Sequence, residues 1–81
     1  MKLTYGIPLF LMKKYLADLG GIEQTENLMV GPGWQAALRK AEPVRLGSLV
    51  VGRIELDLSG DPTAIETVLD RLHLKTLRGG G

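Results

Sequence analysis

The chain of 81 residues contains no cysteine and only one histidine. Without cysteine it has no disulfide, no thiolate nucleophile and no cysteine metal site. One histidine cannot supply a multi-histidine metal site, or a catalytic triad with a second imidazole, within one copy. Because a protein free of cysteine suits a reducing compartment, we predict a cytoplasmic location.

The chain also has almost no excess of charge of one sign. Ten basic and nine acidic residues leave a net charge of +1, and no run of like charge is longer than the pair Lys13-Lys14. Such a balance creates no field that would hold nucleic acid or an anionic membrane, so we predict neither as a partner. The apolar run from Ile7 to Met12 is too short to span a bilayer or to act as a signal peptide.

The length of the chain predicts one domain with a thin core. A domain of this size buries only about 60–65% of its unfolded surface, so a partner would add stability. We assign residues 1–78 to one domain and Gly79, Gly80 and Gly81 to a flexible tail.

The clearest secondary-structure pattern in the sequence lies between Gly52 and Gly60. Ile54, Leu56 and Leu58 alternate with charged residues, which is the period of a strand with one buried face. We predict that this is a core strand of an antiparallel sheet and that the rest of the chain packs on its apolar face.

The N-terminal part predicts a strand and then a helix. Lys2 to Tyr5 alternate polar with apolar residues, and Pro8 suits the first turn of a helix that ends at Gly20-Gly21. The apolar residues of this helix cover an arc of about 160°. Phe10 lies outside that arc, so its burial is not explained by the helix.

The middle of the chain predicts a hairpin. Ile22 to Asn27 carry no clear pattern, but Leu28 to Val30 lead into Gly31-Pro32-Gly33, which suits a type II turn. A second half-buried strand begins at Trp34, and we expect it to end before Pro43, which donates no ladder hydrogen bond. Val44 to Leu46 then form a short strand of their own, and Gly47-Ser48 form the turn into the core strand.

A second helix follows the core strand. Its start has two readings: Asp61 as N-cap with Pro62 in the first turn, or a capping box from Thr63 to Glu66. Its apolar stripe runs to Leu72, and we expect the segment from His73 to Arg78 to be extended or irregular.

These elements predict a two-layer α+β domain. An antiparallel sheet of four to five strands carries two helices on one face, in the order β-α-β-β-β(-β)-α.

Four stretches carry a resemblance to a known family: Tyr5-Gly6-Ile7-Pro8, Lys14-Tyr15-Leu16 with Leu19-Gly20-Gly21, Glu42 to Leu49, and Arg78-Gly79-Gly80-Gly81. They resemble the C-terminal domain of MoaD-related proteins of Thermus-type bacteria, where a sulfur-carrier domain precedes it. MoaD is the small, sulfur-carrying subunit of molybdopterin synthase. The resemblance implies a fold similar to that of the TATA-binding protein (TBP) and a link to molybdenum cofactor biosynthesis. It supplies no catalytic residues.

The individual polar residues favour structural roles. We expect His73 to interact with the last carbonyls of its helix, and Ser48 and Ser59 to lie in turns. Glu55 and Asp57 share the polar face of a strand without a third carboxylate at ligand spacing. The glycines form no phosphate-binding loop, and Trp34 is in phase with core residues. We therefore predict no catalytic, cofactor-binding or metal-binding residues, and no enzyme.

Three functions stay open. The first is a non-enzymatic interaction domain that forms a homo-oligomer through Phe10, accessory to a sulfur-carrier pathway protein or to molybdopterin chemistry. The second uses Gly79, Gly80 and Gly81 as the tail of a ubiquitin-like sulfur carrier, since glycine lets a tail thread a narrow channel. The third is an enzyme whose site lies between subunits.

Overall fold

The computed structural model describes the backbone of residues 1–79 and the side chains of residues 1–76. Its elements are β1 (Lys2–Tyr5), α1 (Leu9–Asp18), β2 (Ile22–Thr25), β3 (Leu28–Gly31), β4 (Trp34–Leu46), β5 (Leu49–Gly60) and α2 (Pro62–Gly79). The strands form one antiparallel sheet in the order β1-β5-β4-β3-β2. The predicted α+β class and element order are confirmed.

The core lies between the helices and one face of the sheet. Ile54, Leu56 and Leu58 of β5 are buried, as the alternation predicts, and Trp34, Ala36 and Leu38 of β4 lie on the same face. The helices contribute four fully or nearly fully buried residues to this cluster: Met12, Leu16, Val68 and Leu72. Both helices therefore cover the same side of the sheet, and we call the other side the open face.

The first helix follows the prediction closely. Pro8 lies at the N-cap of α1, one position before the first helical residue, and Gly20 follows the helix with φ of 93°. Only glycine adopts that left-handed conformation without strain, which is why the helix ends there. The predicted apolar arc faces the core, and Phe10 is 72% exposed.

Two predictions about the strands are wrong. β4 does not end before Pro43 but continues to Leu46, because the register shifts between Ala41 and Val44. Pro43 lies in this bulge, where a residue without an N–H group interrupts no ladder bond. Val44 to Leu46 therefore belong to β4. β2 was not predicted, because it is an exposed edge strand with no apolar alternation.

The second helix is longer than predicted. Asp61 is its N-cap, since Asp61 Oδ2 accepts from the N–H of Ala64 at 3.1 Å, and this decides between the two proposed starts. The helix does not end near Leu72 but continues through Gly79, so the expected extended segment is wrong. His73 accordingly lies within α2 and not at its C-terminus. Gly79 is its last residue, while Gly80 and Gly81 lie outside the described residues.

Neither helix in the described part of the chain combines the length and hydropathy that crossing a membrane requires.

Candidate functional site

The most unusual part of the surface is the end of the β4–β5 hairpin, residues 41–52, which we call the arm. β3 pairs with β4 only as far as Ala37, and β1 pairs with β5 only as far as Ile54. Within residues 1–79, no third strand therefore supports the arm on either side. A two-stranded ribbon of this kind is marginally stable in water unless something packs against it.

The arm exposes large apolar side chains. Leu46 is 62% exposed, Leu49 60% and Val50 54%. Leu46 lies directly opposite Leu49, and Val44 opposite Val51, so these four residues share one face of the ribbon. Because strand side chains alternate, Val50 lies on the other face, together with the buried Ile54.

A groove of about 520 Å³ separates the arm from the start of α1. Its apolar walls are Pro8, Leu9 and Phe10 on the helix side and Ala41, Pro43 and Gly52 on the arm side. The exposed Phe10 thus lies beside the arm, on the same side of the ribbon as Val50, whereas Leu46 and Leu49 lie on the opposite side. Apolar surface of this extent on a small domain is typical of an interaction site.

The charged residues that line the groove are basic. They are Lys13, Lys40 and Arg53. Lys13 Nζ lies 3.0 Å from Glu23 Oε1, so its charge is already compensated. Arg53 Nε is buried and has no hydrogen-bond partner among the described residues. The groove therefore offers apolar walls and an unused donor, but no acid–base pair.

A second hollow of about 470 Å³ lies beside α2, with Trp34 and Arg71 in its lining. Its lining is more polar than that of the groove, and it contains no exposed large apolar side chain of the kind the arm carries. We therefore take the groove and the arm as the candidate site.

The family model described as archaeal MoaD-like protein matches residues 2–81. The chain belongs to this family. A MoaD-related domain was predicted from the sequence, and that part of the prediction is confirmed. No curated protein matches the chain.

The residues that could have served catalysis in this MoaD-like domain are not brought together. His73 is exposed on α2, and Ser48 lies in the turn of the arm. Ser59 was expected in a turn, but it lies in β5, opposite Gln35. The described residues contain no group of three histidine, aspartate or glutamate side chains placed to hold a metal ion.

The two carboxylates of the open face have other partners. Glu55 forms an ion pair with Arg39 across the β4–β5 ladder. Asp57 Oδ1 lies 3.3 Å from the N-terminal amine of Met1. Both groups are thus engaged in exposed ion pairs of the MoaD-like domain.

The glycines of the predicted tail are divided by the end of α2. Gly79 is helical, and Gly80 and Gly81 lie outside the described residues. A carrier tail has to be extended where it enters an enzyme, so Gly79 would have to leave the helix for that role.

Proposed function

We propose that this chain is a non-enzymatic interaction domain that forms a homo-oligomer and assists sulfur-carrier or molybdopterin chemistry. The observation that carries the proposal is the exposed apolar surface of Phe10, the groove and the two faces of the arm. The link to the pathway, and to a sulfur-carrier protein as partner, is supported by membership of the archaeal MoaD-like family alone. A cytoplasmic location belongs to the same proposal.

The proposal includes the narrower likeness to the C-terminal domain of MoaD-related proteins of Thermus-type bacteria. The element order supports a TBP-like arrangement. Fold likeness to a DNA-binding protein carries no function by itself, so nucleic acid stays outside the proposal. The absence of catalysis is supported by the sequence, with its single histidine and no cysteine.

Sedimentation tests the homo-oligomer. We expect a dimer or larger species at tens of micromolar, weakened by Phe10→Lys. Leu74→Lys is the matched control, because Leu74 is also apolar and 59% exposed but lies on α2 and not in the groove lining. A monomeric parent protein, or equal effects of both substitutions, would contradict the proposed contact. Purification from the native cell, with mass analysis of what accompanies the chain, tests the pathway link.

The second candidate function is that of a sulfur carrier. The segment Leu77-Arg78-Gly79-Gly80-Gly81 favours it, since it resembles the glycine ends of such carriers. In this reaction the terminal carboxylate attacks ATP with release of pyrophosphate, and a sulfide-level donor such as hydrosulfide then displaces AMP from the acyl adenylate, which leaves a thiocarboxylate. Intact mass after incubation with an activating enzyme, ATP and a sulfur donor would show one oxygen exchanged for sulfur. An unchanged mass with every cognate activating enzyme would exclude this function.

A further inference from the structure

One edge of the arm presents unused backbone hydrogen-bonding groups. On the β1 side of β5, Leu58 N–H donates to Met1 O, and the Met1 amine donates to Leu58 O, both at 2.8 Å. Backbone groups alternate along a strand, so every second residue from Leu58 points its N–H and C=O groups to the β1 side. These residues include Ile54, Gly52 and Val50. The pairing with β1 ends at Ile54. In the described chain, the groups of Gly52 and Val50 therefore face no strand.

The bulge in the arm does not disturb this alternation. Between the pairs Ala41–Arg53 and Val44–Val51, β4 has two residues and β5 has only Gly52. The extra residue thus belongs to β4, and β5 keeps its regular pleat through the arm.

The two edges of the arm differ in protection. The β4 edge carries Lys40, Pro43 and a bulge, which are features that prevent pairing with another strand. The β5 edge from Leu49 to Gly52 carries no proline and no charge. An unprotected edge of β-branched and apolar residues is suited to accept a strand.

This edge is complementary to a second copy of itself. If two β5 strands pair antiparallel with Val51 opposite Val51, then Val50 of each copy lies opposite Gly52 of the other. Val50 is 54% exposed, and a Cβ placed on Gly52 would meet nothing within 4 Å. No contact among the described residues requires a glycine at this position, and the missing side chain leaves room for Val50 of the second copy. In this register Val50 and Gly52 also exchange their outward N–H and C=O groups.

We propose that two copies of the chain associate through the β5 edges of their arms, with Val51 on the two-fold axis, to form one continuous sheet of ten strands. The proposal rests on the homo-oligomer proposed above and specifies its contact. A two-fold arrangement closes on itself, so it gives a dimer and not a filament. It also turns two unsupported ribbons into one four-stranded unit, which is more stable than either ribbon alone.

The exposed apolar area is consistent with this partner. Near the β5 edge, the exposed apolar area of Leu49, Val50 and Phe10 is on the order of 300 Å², less than half of the roughly 800 Å² that one partner contributes to a stable interface. The edge backbone and the groove wall beside Gly52 add to it.

A charge-swap experiment tests the register. Val51→Lys and Val51→Glu each place two like charges opposite one another at the two-fold axis, so each variant alone should dimerise at least about tenfold more weakly than the parent. An equimolar mixture should recover the parent affinity to within about threefold, because lysine then faces glutamate. The control is the same pair of substitutions at Ile22, Ile22→Lys and Ile22→Glu. Because Ile22 lies on β2 at the far edge of the sheet, these variants should dimerise like the parent. If the parent dimerises and both Val51 variants do so equally well, this contact is overturned while the homo-oligomer stands.

A proline substitution tests the edge independently. The N–H of Val50 points away from β4, so Val50→Pro removes no bond of the hairpin but blocks the edge. We expect a folded protein, by circular dichroism, whose dimer is weakened at least about tenfold. Parent-like dimerisation of Val50→Pro would overturn the edge contact, even where Phe10→Lys weakens the dimer. A parent protein that is monomeric at tens of micromolar would overturn both this contact and the homo-oligomer.

Discussion

Lys75 near the end of α2 reaches Asp18 at the end of α1, with Nζ 3.3 Å from Oδ2. The same ammonium lies 5.5 Å from the centre of the Tyr15 ring. These contacts tie the last turns of α2 to the first helix. They explain why α2 continues after its apolar stripe has ended at Leu72, since charge and cation–π attraction replace burial there.

We therefore expect Asp18→Ala to loosen the end of α2 without unfolding the protein. The pair is partly exposed, so the loss of global stability should not exceed about 1 kcal/mol. Amide hydrogen exchange should become faster for residues 73–76 and stay unchanged in β5. Asp70→Ala is the control, because Asp70 is exposed on α2 and forms no ion pair within the described residues. Equal effects of both substitutions would show that the Lys75 contact does not hold the helix.

A second prediction concerns the central strand. Leu56 is fully buried. Leu56→Asp would place an unpaired carboxylate in the core, at a cost of several kcal/mol against a total stability of about 5–15 kcal/mol. We expect no cooperative thermal transition by circular dichroism. Leu74→Asp, at an exposed site, should melt like the parent. A cooperative melt of Leu56→Asp within a few degrees of the parent would show that Leu56 does not lie in the core.

The regular parts of the fold were predictable because their pattern is local. Alternation located β5, and a wide apolar arc located α1. The end of α2 was not predictable in this way, because the contact between Lys75 and Asp18 joins residues far apart in the sequence. β2 was missed for a similar reason: its exposed residues have no buried face, and it forms because β3 offers an edge.

The candidate site was predictable only in part. Phe10 was identified because it lies off the apolar arc, and it is indeed exposed. The end of the arm was predicted as a short strand, Val44 to Leu46, and a turn at Gly47-Ser48, but its continuity with β4 was not, because Pro43 was taken to end β4. A proline is compatible with a strand at a bulge, and only the pairing of Val44 with Val51 reveals that bulge.

A third prediction concerns the open face of the sheet. Asp57 and the N-terminal amine form an exposed pair, each about half accessible. Asp57→Ala should therefore lower the free energy of unfolding by no more than about 1 kcal/mol. Addition of Mg²⁺ or Ca²⁺ should not raise the melting temperature of the parent. A large loss of stability, or stabilisation by either ion that Asp57→Ala abolishes, would indicate a metal site that we have not assigned.

The last prediction concerns high pH. Tyr5 ends β1 opposite Ile54 and packs against the core, and this burial raises the pKa of its hydroxyl above the ordinary value of 10.0. Because the unfolded chain loses this proton more readily than the folded chain, the neutral hydroxyl favours folding below about pH 10, and this contribution is lost as the pH rises through the folded pKa.

Tyr5→Phe removes the titrating group and keeps the ring. The free energy of unfolding of the parent, relative to Tyr5→Phe, should therefore be constant between pH 7 and about pH 9 and should fall above about pH 10. Urea unfolding at a series of pH values measures this difference. A difference that does not change up to about pH 11 would mean that the Tyr5 hydroxyl reaches water in the folded protein as freely as in the unfolded chain.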